Sequence, residues 1–203
     1  MYVPTFDDVL AAHERIKPYI HRTPVMTSAT FDGMTGAKLF FKCENLQKAG
    51  AFKVRGATNA VFSLTEEEAK RGVVTHSSGN HALSLSRAAA FRGIGCTVVM
   101  PETAPQAKLD AVRGYGGEVI TCAPSLQARE ETLADLVERT GGNFVHPYND
   151  HRVIAGQGTC SEAFIDQVGA LDAGIAPICG GGMVSGTSIS IAALSTGTKV
   201  YAG

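Results

Sequence analysis

The chain has 203 residues, 44% of them hydrophobic and 18% charged, an ordinary globular composition that excludes a disordered chain. Its formal net charge of -1 favours neither nucleic acid nor an anionic membrane surface as a partner. The cysteines (Cys43, Cys96, Cys122, Cys160 and Cys179) form no CxxC pair and point to a reduced, cytoplasmic setting, with no signal peptide or membrane span visible.

In chain order, Thr5 is placed to cap a helix from about Phe6 towards Lys17, with Val9, Leu10, His13 and Ile16 on one face. Pro18 ends it. His21 to Pro24 is extended, because a residue before proline avoids the helical region. Leu39 to Cys43 reads as a strand, Ala57 to Leu64 as a helix, and Thr65 caps another. From there strands alternate with helices. The strands are Val73 to Thr75, Cys96 to Met100, Glu118 to Cys122, Asn143 to His146, Ile175 to Ile178 and Lys199 to Tyr201. Helices run from the Ser77 to His81 turn through Phe91, from Gln106 to Val112, from Leu126 to Arg139 and from Thr159 to Val168, and one more opens at the Cys179 to Gly186 loop. Gly93 and the Gly141-Gly142 pair punctuate them.

This alternation means an α/β fold of open, mostly parallel sheets with helices on both faces. Such sheets bind ligands at the carboxyl ends of their strands. A strand begins at Lys199 and the sequence stops at once, so the chain reads as incomplete, with part of a sheet missing.

Three stretches can carry chemistry. The first is Glu44-Asn45-Leu46-Gln47-Lys48-Ala49-Gly50-Ala51-Phe52-Lys53-Val54-Arg55-Gly56-Ala57. Lys53 sits between apolar Phe52 and Val54, and burial disfavours the ammonium form, which makes a nucleophile for carbonyl groups and Schiff-base chemistry. The plain alternative is a solvated lysine at a helix start. The second is Gly180-Gly181-Gly182 before a helix, an anion cradle of backbone N–H groups at a positive dipole end. The alternative there is a tight turn with no ligand. No Gly-Lys-Ser/Thr follows, and Ser185 stands where a dinucleotide fingerprint needs its third glycine. The third is Ser77-Ser78-Gly79-Asn80-His81, which could grip a carboxylate or could simply cap a helix. His76 and His81 read as satisfied structural histidines. No nucleophile elbow or metal-ligand cluster is present, since His146 and His151 lack the HExxH spacing.

Taken together and in this order, the three stretches resemble the fold-type II pyridoxal-phosphate enzymes, specifically the serine/threonine dehydratase and serine racemase group. Val99-Met100-Pro101-Glu102-Thr103-Ala104-Pro105 and His146-Pro147-Tyr148-Asn149-Asp150 are also similar to this group. The resemblance implies a tryptophan synthase β-like, two-lobed fold, with residues 1–70 and 152–203 forming a large cofactor-binding lobe, incomplete at its end, and 71–151 a small one. It implies pyridoxal phosphate as cofactor and Lys53 as both its Schiff-base anchor and the group that abstracts the α-proton. Asn80 matches the residue that bonds the cofactor's 3′-oxygen, and Phe52 one packed by its ring. Cys179, Gly180, Gly181, Gly182 and Met183 match the phosphate cup, with Cys179 where the family usually has its first glycine. Ser77, Ser78, Gly79 and His81 match the substrate-carboxylate loop, and Ser78 the serine that faces the other side of the α-carbon in racemases. The ligands of a divalent cation found in some members would lie beyond Gly203. The implied activity is a dehydratase (ammonia-lyase) acting on serine, threonine or 3-hydroxyaspartate, in a cytoplasmic homodimer. Racemisation at the same site is the runner-up. A nucleotide-binding protein and a non-catalytic cofactor-binding module are the alternatives from other classes.

Overall fold

The computed structural model describes residues 2–203. Helix α1 (Phe6–Ile16) starts where Asp8 folds back to accept the Thr5 N–H at 2.7 Å. It buries Val9, Ala12 and Ile16, the i, i+3, i+7 stripe of a helix. Leu10, expected on that face, is exposed instead. A two-residue antiparallel pair follows, β1 (Val25–Met26) with β2 (Phe41–Lys42), bracketing α2 (Ala29–Thr35). Helix α3 (Lys53–Phe62) begins four residues before the expected Ala57, so Lys53 opens it. Thr65 caps α4 (Glu66–Lys70) as its sequence pattern requires.

The main sheet is built from β3 (Val73–His76), β4 (Cys96–Pro101), β5 (Glu118–Cys122) and β6 (Asn143–Phe144) in the order β5-β4-β3-β6, all parallel. Helices α5 (Asn80–Arg92), α6 (Gln106–Gly114) and α7 (Leu126–Thr140) connect them. Alternate strand residues face opposite sides. Val73, Val98 and Met100 pack with Leu85, Leu109 and Val112 of α5 and α6. Val74 and Val99 pack with Leu133 and Leu136 of α7. Both faces are covered, as a parallel sheet demands.

The first of these cores also takes in Ala57, Ala60 and Val61 of α3 and Val153 of α8 (His151–Val168). One continuous core therefore crosses residues 70 and 152. Helix α8 packs against α3 and against α9 (Gly182–Leu194). The parallel pair β7 (Ala173–Ala176) and β8 (Lys199–Ala202) lies beside α9. No helix among the described residues is long and apolar enough to cross a membrane.

Helix α8 starts eight residues earlier than the sequence suggests. Gly156 and Gly158 lie inside it as contact points. A Cβ on Gly156 would lie 2.6 Å from Gly56 Cα, and one on Gly186 would lie 2.5 Å from Gly158 N. These glycines let α8 touch the backbones of α3 and α9.

Candidate active site

The lysine-bearing stretch closes on itself. Ala49 (φ 57) and Gly50 (φ 68) both take left-handed conformations and turn the chain into α3. Two residues after Lys53, Arg55 points the other way, into the protein, and is 1% exposed. Its Nε and Nη2 each donate to the Glu44 carboxylate at 2.8 Å, and its Nη1 reaches Thr159 Oγ1 at 3.2 Å. Glu44 also accepts the Thr23 hydroxyl at 2.6 Å. Burial alone would raise the Glu44 pKa, but the Arg55 guanidinium outweighs it and holds the carboxyl below its ordinary range. Both ends of the stretch are thereby pinned, and Lys53 is presented on a fixed helix start.

Lys53 Nζ donates to the carbonyl of Pro147 at 2.8 Å and lies 5.4 Å from the Phe52 ring centroid. Burial depresses its pKa below that of an ordinary lysine, which enlarges the neutral, nucleophilic fraction.

Residues 145–149 are the seam on which the site assembles. Val145 N–H bonds Val74 O at 2.9 Å and Val145 O accepts the Thr75 hydroxyl at 2.8 Å, extending the β3–β6 pairing. His146 Nδ1 accepts the backbone N–H groups of Tyr148 at 3.2 Å and Asn149 at 2.9 Å. Asp150 then caps α8 by accepting the Arg152 N–H at 2.8 Å. The Ser77 to His81 turn meets the same seam. Ser77 N–H bonds Val99 O, and the His81 ring meets Val145 O through Nε2 at 3.3 Å.

His81 is 2% exposed, so its imidazole lies beneath the turn and only the backbone of residue 81 can face a ligand. It is satisfied at one nitrogen, for Nδ1 has no partner. Burial, with Lys53 close by, pushes its pKa down to about 3. Ser77, Ser78 and Gly79 are half-buried, and Asn80, the first residue of α5, is exposed.

The glycine loop reaches the seam from α9. A side chain at Gly180 would run into the Tyr148 ring, and one at Gly182 would lie 2.8 Å from Tyr148 O. Gly181 (φ 91) faces open space. Tyr148 thus demands two of the three glycines, a requirement the anion-cradle reading did not contain. Cys179 takes φ 40, a left-handed conformation that glycine adopts freely. The exposed Cys179 therefore stands where backbone geometry favours a glycine. Among the described residues, the first α9 N–H to find a backbone acceptor is that of Ser185, which bonds Gly181 O at 2.9 Å. The N–H groups of Gly182, Met183 and Val184 stay free for an anion, whereas that of Gly181 is taken by Ile178 O at 2.6 Å.

Two cavities lie in the structure, of which the second opens on the seam at His146. One of about 570 Å³ is lined by Phe52, Asn45, Met183 and Cys160, among others, and excludes Lys53. The other, of about 520 Å³, is lined by His76, Phe144, His146 and the α7 residues Glu130, Leu133 and Glu138. Sequence reasoning missed the part played by His146, Pro147 and Tyr148. The available signal was their place at the carboxyl end of a strand.

Residues 16–202 match the family model described as "Pyridoxal-phosphate dependent enzyme". The chain belongs to the pyridoxal-phosphate dependent enzyme family. It is 62% identical over 202 residues to the beta-hydroxyaspartate dehydratase of Paracoccus denitrificans, covering 100% of this chain and 64% of that protein. It is 50% identical over 202 residues to the serine racemase of Dictyostelium discoideum, covering 100% of this chain and 62% of the relative. The crystal structure of that racemase superposes with a TM-score of 0.95 at 51% identity, over 98% of this chain and 65% of the other. The crystal structure of a T.th. threonine deaminase does so at 0.91 and 40% identity, over 98% and 64%. The chain therefore spans just under two thirds of the length of these relatives.

The residues present fit the family's cofactor. Pyridoxal phosphate needs an amine to anchor its aldehyde, donors for its phosphate and a wall for its ring. Lys53 supplies an amine of lowered pKa, the first turn of α9 supplies the N–H groups of Gly182, Met183 and Val184 with no backbone acceptor, and Phe52 supplies an aromatic face beside Lys53. Among the described residues no group of three or more His, Cys, Asp or Glu side chains could hold a metal ion.

Proposed function

We propose that the chain carries the catalytic lysine of a pyridoxal-phosphate-dependent dehydratase that converts a β-hydroxy amino acid to a 2-oxo acid and ammonia. The observation that carries this reading is the Lys53 amine, half-buried, depressed in pKa and held at 2.8 Å by the Pro147 carbonyl. In this reading Lys53 anchors the cofactor, Gly180, Gly181, Gly182, Met183 and the Cys179 backbone hold its phosphate, and Asn80 meets its phenolic oxygen. Phe52 packs on its ring, and the Ser77 to His81 turn takes the substrate carboxylate through its backbone and hydroxyls. When bound, the cofactor supplies an electron sink for the pair left behind at the substrate α-carbon. Lys53 Nζ, as the neutral amine, takes the α-proton. The β-hydroxyl leaves as water, and the unsaturated amine that results is hydrolysed to the 2-oxo acid and ammonia.

The names of the relatives support serine, threonine or 3-hydroxyaspartate as substrate; a cytoplasmic homodimer with lobes divided at residues 70 and 152 belongs to the same proposal. Racemisation is the second reading, favoured by half-buried Ser78 in the same turn as Asn80, from which a proton could return to the opposite face. The test is an assay of 2-oxo acid, ammonia and inverted amino acid from both enantiomers of each substrate. Wild type should release 2-oxo acid, Lys53→Ala none, and Ser78→Ala should keep elimination while losing inversion. Full turnover by Lys53→Ala would overturn the assignment.

A further inference from the structure

We propose that His146 is a positioning residue for Lys53: its unprotonated Nδ1 folds the 146–149 turn that aims the Pro147 carbonyl at the lysine amine. This rests on the reading above of Lys53 as the reactive amine. His146 Nδ1 accepts from the N–H groups of both Tyr148 and Asn149, and an imidazole nitrogen accepts only when it carries no proton. The hydrogen-bond network thus assigns the ring proton of neutral His146 to Nε2.

The link to Lys53 is a single rigid unit. Pro147 C=O and Tyr148 N–H belong to one planar trans peptide, on which O and H point in opposite directions. Clamping Tyr148 N–H to His146 therefore turns Pro147 O outward, where it meets Lys53 Nζ at 2.8 Å. The arrangement copies an Asx turn, in which a side-chain acceptor captures the N–H two residues on. Protonating Nδ1 would replace the acceptor with a donor, release both N–H groups and let the peptide rotate away from the lysine.

The surroundings hold His146 neutral. Its ring centroid lies 4.5 Å from that of Tyr148, 5.6 Å from Phe144 and 5.9 Å from His76. Burial lowers its pKa, His76 and Lys53 add to this, and Asp150 opposes them. Glu130 and Glu138 of α7 line the cavity on which His146 opens.

The test compares wild type, His146→Asn, which keeps a short acceptor that does not titrate, and His146→Leu, which has none. In cofactor-free protein, the Tyr148 and Asn149 amide resonances should titrate with the His146 ring in wild type. They should stay flat in His146→Asn. Trapping of pyridoxal phosphate on Lys53 by borohydride is the second readout. His146→Leu should trap about tenfold more slowly at neutral pH, the loss expected for one hydrogen bond. His146→Asn should trap at the wild-type rate at neutral pH and faster than wild type on the acid side, where lysine protonation slows every protein but wild type falls further, towards the leucine variant. Amides that ignore the His146 titration, or equal trapping by all three proteins at every pH, would overturn the inference and leave the proposed function standing. Absence of trapping on Lys53 in every protein would overturn both.

Discussion

Arg55 and Glu44 show how a buried charge pair can serve a neighbour. Breaking such a pair leaves one charge uncompensated in the interior, so Arg55→Met should destabilise by about 3–5 kcal/mol, read from denaturant midpoints. Glu44 has its folded pKa depressed, so its contribution is present above the ordinary carboxylate value and is lost as pH falls through the lower folded one. His81 has the same sign, with a wider window. Its folded pKa is about 3 against an ordinary 6.5, so the unfolded chain binds the proton first as pH drops. Stability should decline from pH 6.5 towards 3 by at most about 1.4 kcal/mol per unit from this group. His81→Leu should flatten that part of the urea-midpoint profile, and an unchanged slope would show that the ring is not buried neutral. The buried role of Arg55 and the burial of His81 were not legible in the sequence. Both depend on partners, Glu44 at one end of the stretch and Val145 on another strand, that no local pattern names.

Among the elements, α8 and α9 carry most of what the sequence concealed. A helix-interior glycine costs about 1 kcal/mol relative to alanine, so the pattern discouraged a helix through Gly156 and Gly158. Packing overrides propensity there, because α3 and α9 approach backbone to backbone at those positions. Gly156→Ala should therefore lower stability by about 1–3 kcal/mol, the range for overpacking, despite its better helix propensity. Gly114→Ala, at the end of α6 with nothing within 4 Å of its added Cβ, should instead stabilise by up to about 1 kcal/mol. Thermal melts of the two variants shifting in opposite directions would support this, and parallel shifts would refute it. The parallel strands and their turns were legible, since Val98, Val99 and Met100 form an unbroken apolar run that only a two-sided sheet needs. The strand expected over Leu39 to Cys43 shrank to Phe41–Lys42, paired only with Val25–Met26.

For the whole molecule, three stretches far apart in sequence meet along residues 145–149, which the sequence reading took as a strand end and a family-like segment without giving it a part in the site. The lysine, the glycine loop and the Ser77 to His81 turn could each be found from local chemistry. The seam could not, because Val145 and His146 acquire their positions from long-range pairing with β3. The central claim is that this assembly makes Lys53 the anchor for pyridoxal phosphate. The most direct measurement is to mix the purified chain with pyridoxal phosphate, reduce with borohydride and map the modified peptide by mass spectrometry. A single stable adduct on Lys53, absent from Lys53→Ala, is the expected result. An adduct spread over surface lysines such as Lys38 and Lys199, unchanged in that variant, would contradict it.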